Sequence, residues 1–208
     1  MKLTTITHVS LDGVMQGLGG ADEDRSGGFE RGGWAIPLFD NDARAFLLEV
    51  FGRADAFLFG RKTYDIFAGY WGVMDPGEND IAEALNTKPK YVASSTLTEP
   101  EWDGTTVLSD DVAAAVGELK AKPGRELQVH GSGALIRWLL ENDLVDEINL
   151  FTYPVVVGQG TRLFPDTGRD RAFALIESRT TPGGVIIHVY RPAGRPEYGT
   201  STAEDEHG

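Results

Sequence analysis

The chain has no cysteine among its 208 residues. That excludes a disulfide framework and a thiolate zinc site, and no metal is expected. Cations are also scarce: 19 Lys and Arg stand against 32 Asp and Glu, for a formal net charge of -13. A nucleic-acid binder would show the opposite, basic footprint, so no nucleic-acid partner is expected. No apolar run is long enough to cross a bilayer. The opening MKLTTITHV lacks the apolar core of a signal peptide and reads as a strand. A cytoplasmic protein with no membrane partner is therefore the expectation. What is present is ordinary for a globular domain, 41% hydrophobic and 25% charged residues, with ample chain for one core.

The most informative stretch is LQVHGSGALIRWLL, Leu127 to Leu140. Leu127 to Val129 reads as a short buried strand. Gly131-Ser132-Gly133 makes a tight turn, and Ala134 to Leu140 has the apolar spacing of a helix. Glycine lets the backbone approach a ligand closely. The helix start adds unpaired N–H groups and the positive end of a dipole, an arrangement suited to a pyrophosphate.

Along the chain, Lys2 to Leu11 reads as a strand ending at Asp12-Gly13, and residues 17 to 33, rich in glycine and charge, as a mobile loop. The apolar Trp34 to Phe39 precedes a helix from Ala43 to Gly52, with Asp40 or Asp42 as its N-cap. Ala54 to Phe59 is a buried strand running into Gly60-Arg61-Lys62-Thr63 and a helix to Tyr70. A short helix from Ile81 to Asn86, strands Pro89 to Ala93 and Thr105 to Leu108, and a helix from Val112 to Lys120 follow. Val145 to Val157 reads as a long strand interrupted at Pro154. Phe173 to Thr180 and Val185 to Arg191 flank Pro182-Gly183-Gly184 as a C-terminal β-hairpin. One domain over residues 1–192 and a disordered acidic tail over 193–208 are expected. The alternation of strand and helix predicts an α/β fold with a largely parallel sheet and an antiparallel hairpin at one edge.

In such a sheet, ligands bind beyond the carboxyl ends of the strands. Three strands end in chemistry that suits phosphate: Gly60-Arg61-Lys62-Thr63, Ser94-Ser95 and Gly131-Ser132-Gly133. Arg61 offers a planar fork for a phosphate monoester and the serines offer hydroxyls beside it. A pyrophosphate plus one further phosphate describes NADPH better than NADH. Read singly, Arg61 and Lys62 are equally solvated surface cations and the serines a strand end.

With those junctions in place, the chain resembles the dihydrofolate reductase superfamily. Its nearest branch is the reductase domain of the bifunctional riboflavin-biosynthesis deaminase/reductase, with its stand-alone relatives. The resemblance rests on Ser10-Leu11-Asp12-Gly13, Gly60-Arg61-Lys62-Thr63-Tyr64, Ser94-Ser95, the GSG turn with its helix, and Pro154 through Phe164, in the family's order. It implies a dihydrofolate-reductase-like central mixed, mostly parallel sheet of about eight strands with NADPH across its carboxyl ends. By position, Arg61 meets the 2′-phosphate with Ser94 or Ser95. Lys62, Thr63 and the N–H groups of Gly131, Ser132, Gly133 and Ala134 hold the pyrophosphate. Ile6 to His8 line the nicotinamide, and the loop over residues 17–33 closes on it.

For chemistry, the resemblance puts an acid after a Trp-x-x-Pro segment, here Trp34 to Pro37. Phe39 occupies the expected position and the acid, Asp40, comes one residue later, where it also reads as an N-cap. Asp12 faces substrate in the riboflavin-type relatives and is otherwise a turn aspartate. His8 is a third candidate proton donor. Trp34, Phe39 and Tyr153 are candidate substrate-facing aromatics, and Arg162 is the one nearby cation for a ribose phosphate. These residues point to an NADPH-dependent reductase of a small planar heterocycle, pteridine- or pyrimidine-like. The alternatives are the riboflavin-pathway 5-amino-6-(5-phosphoribosylamino)uracil reductase, a non-catalytic nucleotide-binding module, and an acidic interaction domain. The resemblance also implies a homodimer, for which Ile148 to Val157 is the candidate edge.

Overall fold

The structure is a computed structural model and describes residues 1–200. Within them lie eight strands and five α-helices. The strands are β1 (Lys2–Ser10), β2 (Ala54–Gly60), β3 (Lys90–Ala93), β4 (Thr105–Leu108), β5 (Glu126–His130), β6 (Glu147–Tyr153), β7 (Phe173–Thr180) and β8 (Ile186–Pro192). The helices are α1 (Asn41–Arg53), α2 (Arg61–Tyr70), α3 (Asp80–Thr87), α4 (Val112–Ala121) and α5 (Gly133–Glu141). The strands form one mixed, mostly parallel sheet in the order β4-β3-β2-β5-β1-β6-β8-β7. Its first six members run parallel, and β8 and β7 close it as an antiparallel hairpin.

Strand alternation sends successive side chains to opposite faces. Leu3, Ala56, Leu58, Leu127, Val129 and Ile148 face one side, where Val116 and Leu119 of α4 and Ile136, Leu139 and Leu140 of α5 cover them. Ile6, Phe151 and Tyr153 face the other side, under Phe46 and Val50 of α1. Phe57 and Phe59 continue that layer against Tyr64 of α2 and Leu85 of α3. Burial on both faces explains why β2 reads as a near-continuous apolar run.

Most helix starts are fixed locally. Asp40, Asn79 and Asp111 accept first-turn N–H groups of α1, α3 and α4. By contrast, α2 follows β2 directly from Gly60, and α5 follows β5 through the GSG turn, neither with a side-chain cap. The two uncapped starts are the ones that border the cleft described below.

Two expectations change. β6 stops at Tyr153 rather than continuing to Val157, because Pro154 brings no N–H to the ladder. β6 is also no edge: it lies between β1 and β8 with both sides paired. The free edges are β4 and β7. Of the expected tail, residues 201–208 lie outside the described residues, while Arg195 and Tyr198 both hydrogen bond to Asp170.

Candidate active site

A cleft of about 1060 Å³ opens at the carboxyl ends of β1, β2 and β5. Its walls are the start of α2, the GSG turn with the start of α5, and Met15 to Asp24 of the long loop. Two of the three expected junctions meet here. The Gly60 N–H donates to Ser132 Oγ at 2.9 Å, tying the end of β2 to the turn after β5. A side chain at position 60 would place its Cβ 3.2 Å from that hydroxyl, so glycine permits the contact. Gly131 and Ser132 both take left-handed backbone, φ 58° and 55°. That double turn is costly for serine and orients the chain so that α5 starts at the cleft wall. The first N–H groups of α5 have no partner within the helix, and Ser132 makes no cap bond to them. Thr63 stands opposite Gly131. This wall of the cleft brings together bare backbone donors, a hydroxyl and two cations.

The cations are engaged. Arg61 Nε donates to both oxygens of Asp65, at 2.8 and 2.9 Å. Lys62 Nζ holds the long loop, 2.5 Å from Asp24 Oδ2 and 2.7 Å from Ser26 Oγ. The Arg61–Asp65 pair is solvent-accessible and therefore exchangeable, whereas Asp24 is largely buried beneath Lys62. The loop is further anchored by Gln16, whose amide donates to the Ser26 carbonyl at 2.9 Å. Phe29 is buried against Val14 and Val157. The third junction stays apart: Ser94 Oγ accepts the N–H groups of Thr96 and Leu97, and Ser95 is exposed at the end of β3, neither lining the cleft.

The floor is aromatic and uncharged. His8 stacks on Phe151, with centroids 4.3 Å apart, and its Nδ1 lies 2.8 Å from the Tyr153 hydroxyl. Burial pushes His8 down to about 4, so it is neutral at pH 7. Burial, then the charge of Asp40, pushes the Tyr153 hydroxyl up, so it stays protonated. Phe39 meets the His8 ring edge-on, and Trp34 meets Tyr153 at 90° while donating from Nε1 to the Gln16 carbonyl. The expected aromatics thus form one cluster, with His8 the member that lines the cleft.

The floor also contains a residue that sequence reasoning missed. His130, the last residue of β5, is buried at the cleft base and stacked on Phe51 at 4.3 Å. Burial, then the nearness of His8, lowers it to about 3. A lone histidine closing an apolar strand carries little signal. Only the pairing of Ile6 with His130 puts it on the same face as His8.

The expected acids do other tasks. Asp12 Oδ1 accepts from the Ser10 hydroxyl at 2.7 Å and the Val157 N–H at 2.9 Å. Its Oδ2 accepts the Gly158 N–H at 2.8 Å. The Ser10 bond is the largest cause of a carboxyl lowered to about 2, with the two backbone bonds adding to it. Arg162 donates to the Asp12 carbonyl at 2.8 Å. Asp12 and Arg162 therefore clasp β1 to the segment after β6, and neither lines the cleft. Asp40 caps α1 through the Ala43 N–H at 2.9 Å and holds the β7–β8 turn through the Gly183 N–H at 2.6 Å. Those bonds, Ala43 first, keep its carboxyl below the usual range. Asp12 and Asp40 each hold two backbone N–H groups, and neither lines the cleft.

A family model described as the RibD C-terminal domain matches residues 1–187. YyaP of Bacillus subtilis, an uncharacterized protein, is 30% identical over 184 residues, 88% of this chain and 90% of that protein. Among solved structures, a Shewanella sp. PV-4 protein provisionally ascribed to riboflavin biosynthesis superposes with a TM-score of 0.66. It is 23% identical, over 93% of this chain and 99% of its own. A diaminohydroxyphosphoribosylaminopyrimidine deaminase/5-amino-6-(5-phosphoribosylamino)uracil reductase of Thermotoga maritima gives 0.61 at 13% identity, over 92% of this chain and 56% of its own.

Proposed function

The chain belongs to the RibD C-terminal domain family, which implies an oxidoreductase, and on that premise we propose that it is an NADPH-dependent reductase of a small planar heterocycle. The observation that carries this reading is the joined cradle at the strand ends, where Gly60 and Ser132 bring the Arg61-Lys62-Thr63 and GSG junctions to one cleft wall. The residues fit the cofactor: the unpartnered N–H groups at the start of α5 and Thr63 suit a pyrophosphate. Arg61, by leaving Asp65, suits the further phosphate that distinguishes NADPH. When bound, the nicotinamide supplies a hydride. The chain's own part is to hold the acceptor against the aromatic floor, exclude water beneath the loop, and deliver a proton. His8, in contact with the Tyr153 hydroxyl, is the group placed to pass that proton.

The uncharged floor favours a neutral heterocycle over one that needs a carboxylate partner. It gives the ribosylated-pyrimidine reading less support, since Arg162, the cation expected to meet a ribose phosphate, sits outside the cleft. A homodimer belongs to the same proposal, supported by Leu175 and Ile176 exposed on the outermost strand, β7; light scattering on the purified protein tests it.

The first test is titration with NADPH and NADH, followed on tryptophan fluorescence, for wild type and Arg61→Ala. Loss of charge-assisted bonds should weaken NADPH by about 1.5–3 kcal/mol, roughly ten- to more than a hundredfold, and NADH far less. Equal weakening of both, or no binding of either, defeats the cofactor assignment.

A further inference from the structure

A polar chain runs beneath the cleft floor, unused by the cradle. Arg53 Nε donates to Glu126 Oε1 at 2.8 Å. Gln128 Nε2 donates to Glu126 Oε2 and to the Val50 carbonyl, both at 2.7 Å. A carbonyl only accepts, so the amide has one orientation, and Gln128 Oε1 is left as an acceptor. His130 Nε2 lies 3.1 Å from that oxygen. Two acceptors cannot share a hydrogen bond, so Nε2 carries the proton. A neutral imidazole protonated there keeps its lone pair on Nδ1. The two ring nitrogens point widely apart, so Nδ1 is directed away from Gln128, on a ring that lines the cleft. Stacking on Phe51 fixes the plane of the ring.

The surroundings limit what this lone pair can meet. The carboxylates on the cleft wall are Asp22, Glu23 and Asp24 of the loop and Asp65 of α2, none of them on the strands that carry His8 and His130. The polar neighbour on the floor itself is His8, whose Nδ1 is already taken by Tyr153. A ligand edge seated here needs a neutral N–H for His130.

We propose that His130 reads the bound heterocycle, its Nδ1 accepting a hydrogen bond from a ring N–H of a neutral lactam-type ring, with Gln128 as the positioning residue that fixes its tautomer. This rests on the reductase reading and narrows its substrate class to rings carrying an N–H beside a carbonyl, such as dioxopyrimidines and dioxopteridines. Masking the N–H by methylation should remove the bond. Leucine at position 130 keeps the bulk and loses the acceptor, so it separates hydrogen bonding from fit.

The test has two readouts on the full chain. Long-range proton–nitrogen spectra of 15N-labelled protein, with His130→Leu to assign the ring, should show His130 as the Nε2–H tautomer. Gln128→Leu should convert it to a mixture. The second readout is binding of 2,4-dioxopteridine and its 1,3-dimethyl derivative, with and without NADPH. Wild type should prefer the unmethylated ring about tenfold or more, and His130→Leu about threefold or less. An Nδ1–H tautomer in wild type, a preference that survives in His130→Leu, or no binding of 2,4-dioxopteridine overturns the proposal. Failure of the cofactor reading registers separately, as NADPH that does not bind while His130 keeps its tautomer and its preference.

Discussion

The two ends of the central strands are built from opposite chemistry. At the amino ends, charges are buried and paired. Glu126, with its side chain 4% exposed, meets Arg53, Lys2, Thr4 and Gln128. Glu147, 8% exposed, pairs with Lys2 at 2.8 Å and faces Arg191 at 3.5 Å. At the carboxyl ends the buried polar groups are neutral histidines and bare backbone donors beside an open cleft. Closed polar networks hold a fold in register, whereas polar groups with capacity to spare are where a ligand can be recognised. The sheet keeps the two tasks a strand's length apart, joined by Gln128.

Breaking the closed end should have the largest effect on stability. Glu126→Ala leaves Thr4 Oγ1 and one Gln128 N–H unpartnered, and should cost about 3–4 kcal/mol in urea unfolding. The open end should show itself through pH. His8 and His130 have folded values near 4 and 3, below the ordinary 6.5. The unfolded chain therefore takes up protons first, so stability is full above about pH 7 and falls as pH drops from 6.5 toward 3. The loss should be on the order of a few kcal/mol, most of it from His130, because His8 is partly open to the cleft and solvent softens its share. His8→Gln, which keeps a partner for Tyr153, should flatten part of that slope. A flat wild-type profile would mean that the floor is wetter than described.

Asp12 sharpens the contrast, since it lies at a carboxyl end yet belongs to the closed kind. Its folded value of about 2 lies below the ordinary 3.8. Its stabilisation is present above about pH 4 and lost as pH falls toward 2. Asp12→Asn should cost about 1–2 kcal/mol at pH 7, with the gap from wild type closing at pH 2 and cofactor affinity unchanged. The smallest effect belongs to Asp40→Asn. Asparagine caps as well as aspartate but its single oxygen cannot also accept the Gly183 N–H, so melting should fall by less than for Asp12→Asn and turnover should persist. Lost turnover with intact melting would return Asp40 to the chemistry.

Much of this was legible in the sequence because it depends on local rules. Val, Ile and Phe runs punctuated by Gly60 and Gly131 gave the strand–helix alternation, and the aspartate before α4 marked a helix start. The long loop, the hairpin around Gly183-Gly184 and two of the three cradle junctions follow from the same signals. The rest depends on what pairs with what. The apolar run Ile148 to Tyr153 looks the same whether edge or interior, and only β8 on its far side decides. Asp12 before glycine looks the same whether its carboxylate faces a ligand or two N–H groups from residues 157 and 158. His130 became visible only once β5 lay beside β1.

That pairing has a consequence for how the protein is made. β1 is synthesised before the other strands of the sheet, yet its two neighbours are β5 and β6, aligned from Lys2 with Glu126 to Ser10 with Tyr153. The middle of the sheet cannot close until most of the chain has been synthesised. Contacts so distant in sequence make for slow folding, and β1, buried on both faces in the native sheet, waits unpaired meanwhile. Rewiring the chain so that fewer residues separate β1 from β5 and β6 should speed refolding.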